Sequence, residues 1–258
     1  MNLTKEERLK KIIALLSKNK KLSTKKLQQL MEVSISTLRR DLITLENTNT
    51  IQHTHGYVSL LENSNVEFTY AIRRDKNEAI KKKLCKQAAQ IITDGSAIFL
   101  DGSSTLAFLP KYFSGKSNIH VITNNIHIAS EINQLKGIDL SVIGGEVAYR
   151  SNSIVGPRAL EDLKTNYRPN ISFLSCNSLD ENGIYMSDEN QTLLKRTAIK
   201  VSNQTVLLVD HSKFTKNDYI LLCDYNIKNI QTIITDQLPS EKITENIQSN
   251  GINLIVTK

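Results

Sequence analysis

The 258-residue sequence has no apolar run approaching the length of a membrane span. Its longest early run, Ile12 to Leu16, is too short for a secretory signal core and is flanked by Glu6, Glu7 and Lys18. A soluble, cytoplasmic protein with no membrane partner is therefore expected. Cysteine is also scarce. Cys85, Cys176 and Cys223 are far apart, with no Cys-x-x-Cys pair, so neither a disulfide framework nor a zinc site is indicated. Buried thiols in a reducing compartment are the simpler reading. The five histidines show no zinc spacing either, and neither metal nor cofactor is called for.

Charge is present but unevenly placed. Residues 1–60 hold eleven lysines and arginines against five acids, a surplus of six, while the whole chain is +7. Nearly all of the excess lies in the first quarter, as in a polyanion-binding module attached to a near-neutral partner domain. Lysine-rich solubility is the alternative that charge alone leaves open.

In that quarter Leu9, Ile12, Ile13 and Leu16 form one stripe of a first helix. Asn19 to Leu22 interrupts the pattern. Ser23 or Thr24 can cap a short second helix with Leu27, Leu30 and Met31 facing inward, and Glu32-Val33 makes a tight turn. Ser34 can cap a third helix on which Ile35, Leu38, Leu42 and Leu45 are expected to face the core. Its opposite face carries Ser36, Thr37, Arg39 and Arg40, near the N-terminus, where a recognition helix meets base edges and phosphates in the major groove. Arginine offers a forked donor for guanine or phosphate, and hydroxyls at a helix start suit phosphate. A solvated basic face is the bland alternative. Ile51 to Leu60 reads as a hairpin turning at His55-Gly56, a candidate wing. Gln52, His53 and His55 could touch DNA or form ordinary hairpin surface.

Residues 61–77 show little apolar periodicity and read as a linker whose charges are either solvated or paired between subunits. From Glu78 helical and strand patterns alternate. A helix over about 78–92 places Ile80, Leu84, Ala88 and Ile91 on one face. Apolar strands follow at Ala97 to Leu100, His120 to Thr123, Leu140 to Ile143, Ser172 to Ser175, Val206 to Val209, Thr232 to Ile234 and Ile252 to Val256. Such alternation predicts an α/β domain over 78–258 with a mostly parallel sheet, whose ligands bind outside the strand carboxyl ends.

Polar signals gather at those ends: Asp101-Gly102-Ser103-Ser104-Thr105, which is read as opening a helix, then Thr123-Asn124-Asn125, Gly144-Gly145-Glu146 and Asp210-His211-Ser212-Lys213. Amides and hydroxyls at a helix start can cradle an anion, and Lys213 is a compact cation suited to phosphate. Each loop alone is weak, because Gly/Ser/Asn-rich loops also serve capping. Four at one sheet edge carry more weight.

Residues 5–60 resemble the winged helix-turn-helix domain of the DeoR family of bacterial repressors, through Glu7-Arg8, Leu27 to Ser34 and above all Thr37-Leu38-Arg39-Arg40-Asp41-Leu42. The chain departs from that pattern at Asn49, where glycine is usual, at His53, where arginine is usual, and at Tyr57 after His55-Gly56. Residues 76–258 resemble the family's effector domain, itself similar to ribose-5-phosphate isomerase and the coenzyme A transferases. The markers are Asp101 with Ser104-Thr105, Thr123-Asn124, Gly144-Gly145, Gly156, Asp188 with Lys195-Arg196, Asp210 with Ser212-Lys213-Phe214, and Ile234-Thr235-Asp236. Ser103 stands where the family has glycine, and Asn190-Gln191 where acids are frequent.

The resemblance implies a repressor of carbohydrate-metabolism genes that binds double-stranded operator DNA as a dimer or larger oligomer, such as a tetramer, and responds to a phosphorylated sugar or sugar alcohol. The implied effector residues are Asp101, Ser103, Ser104, Thr105, Thr123, Asn124, Gly144, Gly145, Asp188 and Lys213. Two other readings remain. One is a sugar-phosphate isomerase with an added DNA-binding domain, which Gln191 disfavours because an amide cannot act as a base. The other is a winged helix that binds protein.

Overall fold

The computed structural model describes residues 3–19, 21–47, 50–60, 70–148, 151–215 and 218–257. Residues 61–69, most of the segment read as a linker, and Asn49 lie outside them. The chain divides into two compact units, Met1–Ile72 and Arg73–Lys258.

The first unit begins with helix α1 (Lys5–Asn19), whose Ile12, Ile13 and Leu16 are buried. The interruption after it is a short strand, β1 (Lys21–Ser23). Ser23 is the residue that caps α2 (Thr24–Met31), its hydroxyl accepting from the Lys26 amide at 3.2 Å. Glu32 ends that helix in the left-handed conformation, φ 54°. Leu27 and Met31 are buried; Leu30 is only half-buried. Helix α3 (Ile35–Asn47) starts at Ser34, whose Oγ accepts from the Thr37 amide at 3.1 Å. Leu38, Leu42 and Leu45 enter the core with Leu27 and Ile12, as expected. Ile35 does not: it precedes the stretch of α3 that meets the other helices and is 54% exposed. Strands β2 (Ile51–Thr54) and β3 (Tyr57–Leu60) form the expected hairpin, with β1 adding to β3. Its two-residue turn places His55 at φ 51° and Gly56 at φ 77°, the paired positive φ values that match the twist of a tight hairpin.

The second unit begins within helix α4 (Tyr70–Asp75), which occupies part of the segment read as a linker, followed by α5 (Glu78–Ala89). The elements β4 (Ala97–Leu100), β5 (Ile119–Thr123), α6 (Ile126–Ile132) and β6 (Ile138–Val142) follow. Then come a hairpin of β7 (Glu146–Ala148) and β8 (Ser153–Val155), helix α7 (Pro157–Asn166), and strands β9 (Ile171–Leu174), β10 (Ser178–Leu179) and β11 (Ile184–Met186). The chain ends through α8 (Glu189–Val201), β12 (Gln204–Val209), β13 (Ile220–Cys223), β14 (Ile230–Thr235), α9 (Glu241–Ser249) and β15 (Asn253–Val256).

Each of the seven expected apolar runs is a strand of one parallel sheet, in the order β15-β14-β12-β9-β4-β5-β6. Strands β10, β11 and β13 form a separate antiparallel sheet. From β4 the chain proceeds toward one edge and from β9 toward the other. The order therefore reverses between β4 and β9, the kind of switch point outside whose strand ends open α/β sheets bind their ligands. The segment after Asp101 is not an α-helix but a 3-10 turn, Leu106–Tyr112; Pro110 within it has no amide hydrogen to extend a helical ladder. Helix α5 is rotated from its expected face: Lys81, Leu84, Cys85, Ala88 and Ala89 are buried, while Ile80 is only half-buried.

Candidate DNA-contacting helix and strand-end site

Helix α3 is held in place by an ion pair. Asp41, 1% exposed, accepts from Arg8 Nε at 2.7 Å and from Arg8 Nη2 at 3.0 Å, and Arg8 Nη1 donates to the Leu3 carbonyl at 3.0 Å. This forked contact joins α1 to α3, and the carboxylate lifts the guanidinium pKa through their hydrogen bond. Asp41 occupies the core phase between Leu38 and Leu42, so it requires a cation.

With one face so anchored, α3 turns Ser36, Arg39 and Arg40 to the exterior. Ser34 is committed to capping and also hydrogen-bonds the hydroxyls of Ser36, at 2.9 Å, and Thr37, at 2.8 Å. Thr37 is half-buried and supports the first turn. Ile35, Arg39, Ile43 and His53 border a groove beside the wing. His53 reaches Thr24 Oγ1 at 3.3 Å and Glu46 at 3.7 Å, whereas His55 is exposed at the hairpin tip. Tyr57 is half exposed, with the Lys21 ammonium 4.8 Å from the ring centroid. This contact links β3 to its neighbour β1.

At the strand ends of the second unit the predicted residues divide into those whose polar groups are engaged within the loops and those with polar groups still unpaired among the described residues. Asp101 is buried and both its oxygens are engaged. Oδ1 accepts from the Ser103 amide at 2.7 Å; Oδ2 accepts from the Ser175 amide at 3.0 Å and from the Lys195 ammonium. Lys195 also donates to the Ser175 carbonyl at 2.7 Å. This buried pair ties the β4 and β9 loops together at the point where the strand order reverses. Thr105 accepts from Ser175 Oγ at 3.3 Å, and the Thr105 carbonyl accepts from the Cys85 thiol at 3.1 Å. All three cysteines are buried and free.

Thr123 donates to the Leu100 carbonyl at 2.8 Å, and Asn125 donates to the carbonyls of Gly102 and Ser151, each at 3.3 Å. The loops after β4 and β5 are thus joined. A side chain at Gly102 would lie 1.9 Å from Ser153 Oγ, so only glycine permits this approach. Asn124 spends its amide on the Ile154 carbonyl at 3.1 Å; among the described residues its buried Oδ1 and the buried Ser103 Oγ have no hydrogen-bond partner. Gly144 donates to Asp162 at 2.8 Å, and Gly145, at φ 149°, fits against Ile154, Val155 and Ala159. Asp188 caps α8, accepting from the Gln191 amide at 2.8 Å.

The β12 loop supplies the charge. Lys213 is half-buried, and burial lowers its pKa while Asp210 opposes the shift. Burial works against the Asp210 carboxylate, yet Lys213, Ser212 and Asn77 outweigh it and hold its pKa below the usual value. Asn77 donates to Asp210 Oδ1 at 2.9 Å. Lys81 of α5 was not among the site residues expected from the sequence. It is buried, donates to Ser104 Oγ at 3.2 Å and to the Arg73 carbonyl, and burial pushes its pKa down to about 7, with Lys213 adding to that effect. Its only sequence signal was a lysine on the core side of an amphipathic helix. Among the described residues there is no cluster of acidic, histidine and cysteine side chains able to hold a metal, and no helix long and apolar enough to cross a membrane.

Known proteins resemble the chain along nearly its whole length. Residues 8–64 match the DeoR-like helix-turn-helix domain, and residues 76–237 match the DeoR C terminal sensor domain. The chain is 30% identical to the HTH-type transcriptional repressor GlcR of Bacillus subtilis (strain 168), over 98% of this chain and 96% of that protein. It is 28% identical to the glycerol-3-phosphate regulon repressor of Escherichia coli (strain K12), over 94% of this chain and 95% of that protein. Among solved structures, ribose 5-phosphate isomerase A from Methanocaldococcus jannaschii aligns with 54% of this chain and 56% of its own, at 21% identity and a TM-score of 0.40. The full-length relatives regulate transcription, and the chain belongs to the DeoR family of DNA-binding transcriptional regulators.

Proposed function

We propose that this regulator represses carbohydrate-metabolism genes, holding operator DNA until a phosphorylated sugar or sugar alcohol binds at the strand-end loops. The observation that carries this reading is the buried Lys81 ammonium at the carboxyl ends of the parallel sheet, which donates to Ser104 Oγ and feels the charge of Lys213 in the β12 loop. The names of relatives matched along nearly the full chain, GlcR and the glycerol-3-phosphate regulon repressor, point the same way. In this reading Arg39 and Arg40 contact DNA, with Ser36 beside them and Ser34 and Thr37 holding the helix start. His53 and His55 belong to the wing. Two copies of the chain place two such helices in successive major grooves.

Within the sensor unit, Ser103, Ser104 and Lys213 meet the anion and the Asn124 carbonyl oxygen accepts from a sugar hydroxyl. Asp101, Thr105, Thr123, Gly144, Gly145 and Asp188 shape the loops. With both Asp101 oxygens engaged and Asp188 capping α8, neither is arranged as the base of an isomerase. A thermal-shift screen of sugar phosphates tests the proposal, because a ligand that binds only the native state raises its melting temperature. At least one sugar phosphate should stabilise the wild-type protein, and Lys213→Ala should weaken that response while DNA binding persists. A screen in which no phosphorylated compound shifts the wild type would contradict the proposal.

A further inference from the structure

Two lysines are buried at the strand-end site, and their surroundings differ. Lys195 contacts the carboxylate of Asp101. Among the described residues Lys81, 4% exposed, has two hydrogen-bond partners, Ser104 Oγ and the Arg73 carbonyl, and no carboxylate in contact. Asp210 acts on Lys81 and Lys213 alike, while Arg73 and Lys76 add further positive charge. Asp210 thus offsets the charge of both ammonium groups only in part, and a bound anion would add to that balance.

The second partner of Lys81 gives the contact its interest. Arg73 belongs to α4 (Tyr70–Asp75), the helix through which the chain enters the sensor unit from the DNA-binding unit. Asn77, at the start of α5 and in the left-handed conformation at φ 57°, donates to Asp210 in the β12 loop. The entry segment is therefore fastened to the strand-end loops through Asn77 and through Lys81, and Lys81 also touches the Ser104 loop. A phosphate oxygen arriving at Ser104 competes with the Arg73 carbonyl for the same ammonium. The phosphate oxygen carries charge opposite to the ammonium, so it attracts that group more strongly than the neutral carbonyl does.

We propose that Lys81 is both the phosphate-binding ammonium of the sensor site and a latch on Arg73, so that a phosphomonoester at Ser104 draws it from that carbonyl and frees the entry segment. The inference rests on the phosphorylated effector proposed above. It gives the ligand a way to alter the segment leading to the DNA-binding unit through differential contacts in two states, as coupling requires.

The test uses the full chain, with inorganic phosphate as the probe and chloride at equal ionic strength as the control. Phosphate binding is measured by calorimetry, and the exchange of amides 70–77 by hydrogen–deuterium exchange. Wild type should bind phosphate, and saturation should speed exchange in that segment at least tenfold. Lys81→Met, which keeps the length of the side chain without its charge, should bind phosphate at least tenfold more weakly and exchange rapidly whether or not phosphate is present. Equal phosphate affinity in the two proteins, or an entry segment in wild type that exchanges no faster when saturated, overturns the latch. The wild-type exchange decides the matter by itself if the variant does not fold. Failure of wild type to bind either phosphate or any sugar phosphate overturns the effector reading and the latch together, whereas binding that is indifferent to Lys81 overturns only the latch.

Discussion

Replacing Arg40 with alanine should weaken operator binding at least tenfold, and the salt dependence should show how Arg40 acts. Helix α3 exposes Arg39 and Arg40 side by side, about 100° apart around its axis, while Asp41 faces inward. If the regulator neutralises about six phosphates, log affinity falls with log salt at a slope of roughly −5. Raising salt from about 50 to 200 mM then weakens wild-type binding roughly a thousandfold. In a dimer, one phosphate-contacting arginine lost per protomer removes two contacts and reduces the slope by about 1.8, so the same change in salt weakens the variant only about a hundredfold. If Arg40 instead forks onto a guanine, the slope is unchanged and roughly ten- to hundredfold of base discrimination is lost. Fluorescence anisotropy with a duplex selected from random sequence, measured across a salt series, separates these outcomes. Effector binding should be intact in either case. Operator affinity for Arg40→Ala within twofold of wild type would refute the placement of this face against DNA, and a wild-type slope near zero would favour the protein-binding reading of the winged helix.

Asp41→Asn should lower the melting temperature of the DNA-binding unit and weaken operator binding, because it weakens the forked contact from Arg8 that orients α3; unchanged stability by calorimetry would count against that role. Gly102→Ala should destabilise the sensor unit by about 1–3 kcal/mol, the usual cost of overpacking, since the new methyl group meets Ser153 Oγ at 1.9 Å; urea denaturation reads the loss, and sugar-phosphate response should fall with it. Lys81 predicts a pH effect of defined sign. Its folded pKa of about 7 lies below the ordinary 10.5, so between those values the unfolded chain holds a proton that the folded chain has lost. Stability attributable to Lys81 therefore rises with pH across that window. Lys81→Met should be stabilised relative to wild type at pH 6.5, with the difference shrinking by pH 9 in urea denaturation.

The regular elements were largely legible in the sequence because their apolar spacing is strong. The seven runs that became the parallel sheet are continuous and β-rich, and Leu38, Leu42 and Leu45 fix the inner face of α3. What spacing could not show was where the core stops. Ile35 has the right phase but lies too early on the helix to be covered, and Ile80 was preferred over Lys81 because counting apolar residues does not reveal a buried ammonium with its own hydrogen bonds. Strands β1, β7, β10 and β11 are two or three residues long, too short for alternation to register. The loops at the sheet edge were found from composition, but their division of labour was not. Asp101 looked like a ligand-facing acid until Lys195, 94 residues away in sequence, was found against it. Such long-range pairing leaves no local mark.

The most direct measurement is the affinity of the full chain for its selected operator duplex, with and without a saturating sugar phosphate identified by the thermal-shift screen. The predicted result is tight binding without the ligand and at least a tenfold weaker complex with it. Equal affinity under both conditions, or no preference for that duplex over random DNA, would contradict ligand-controlled repression.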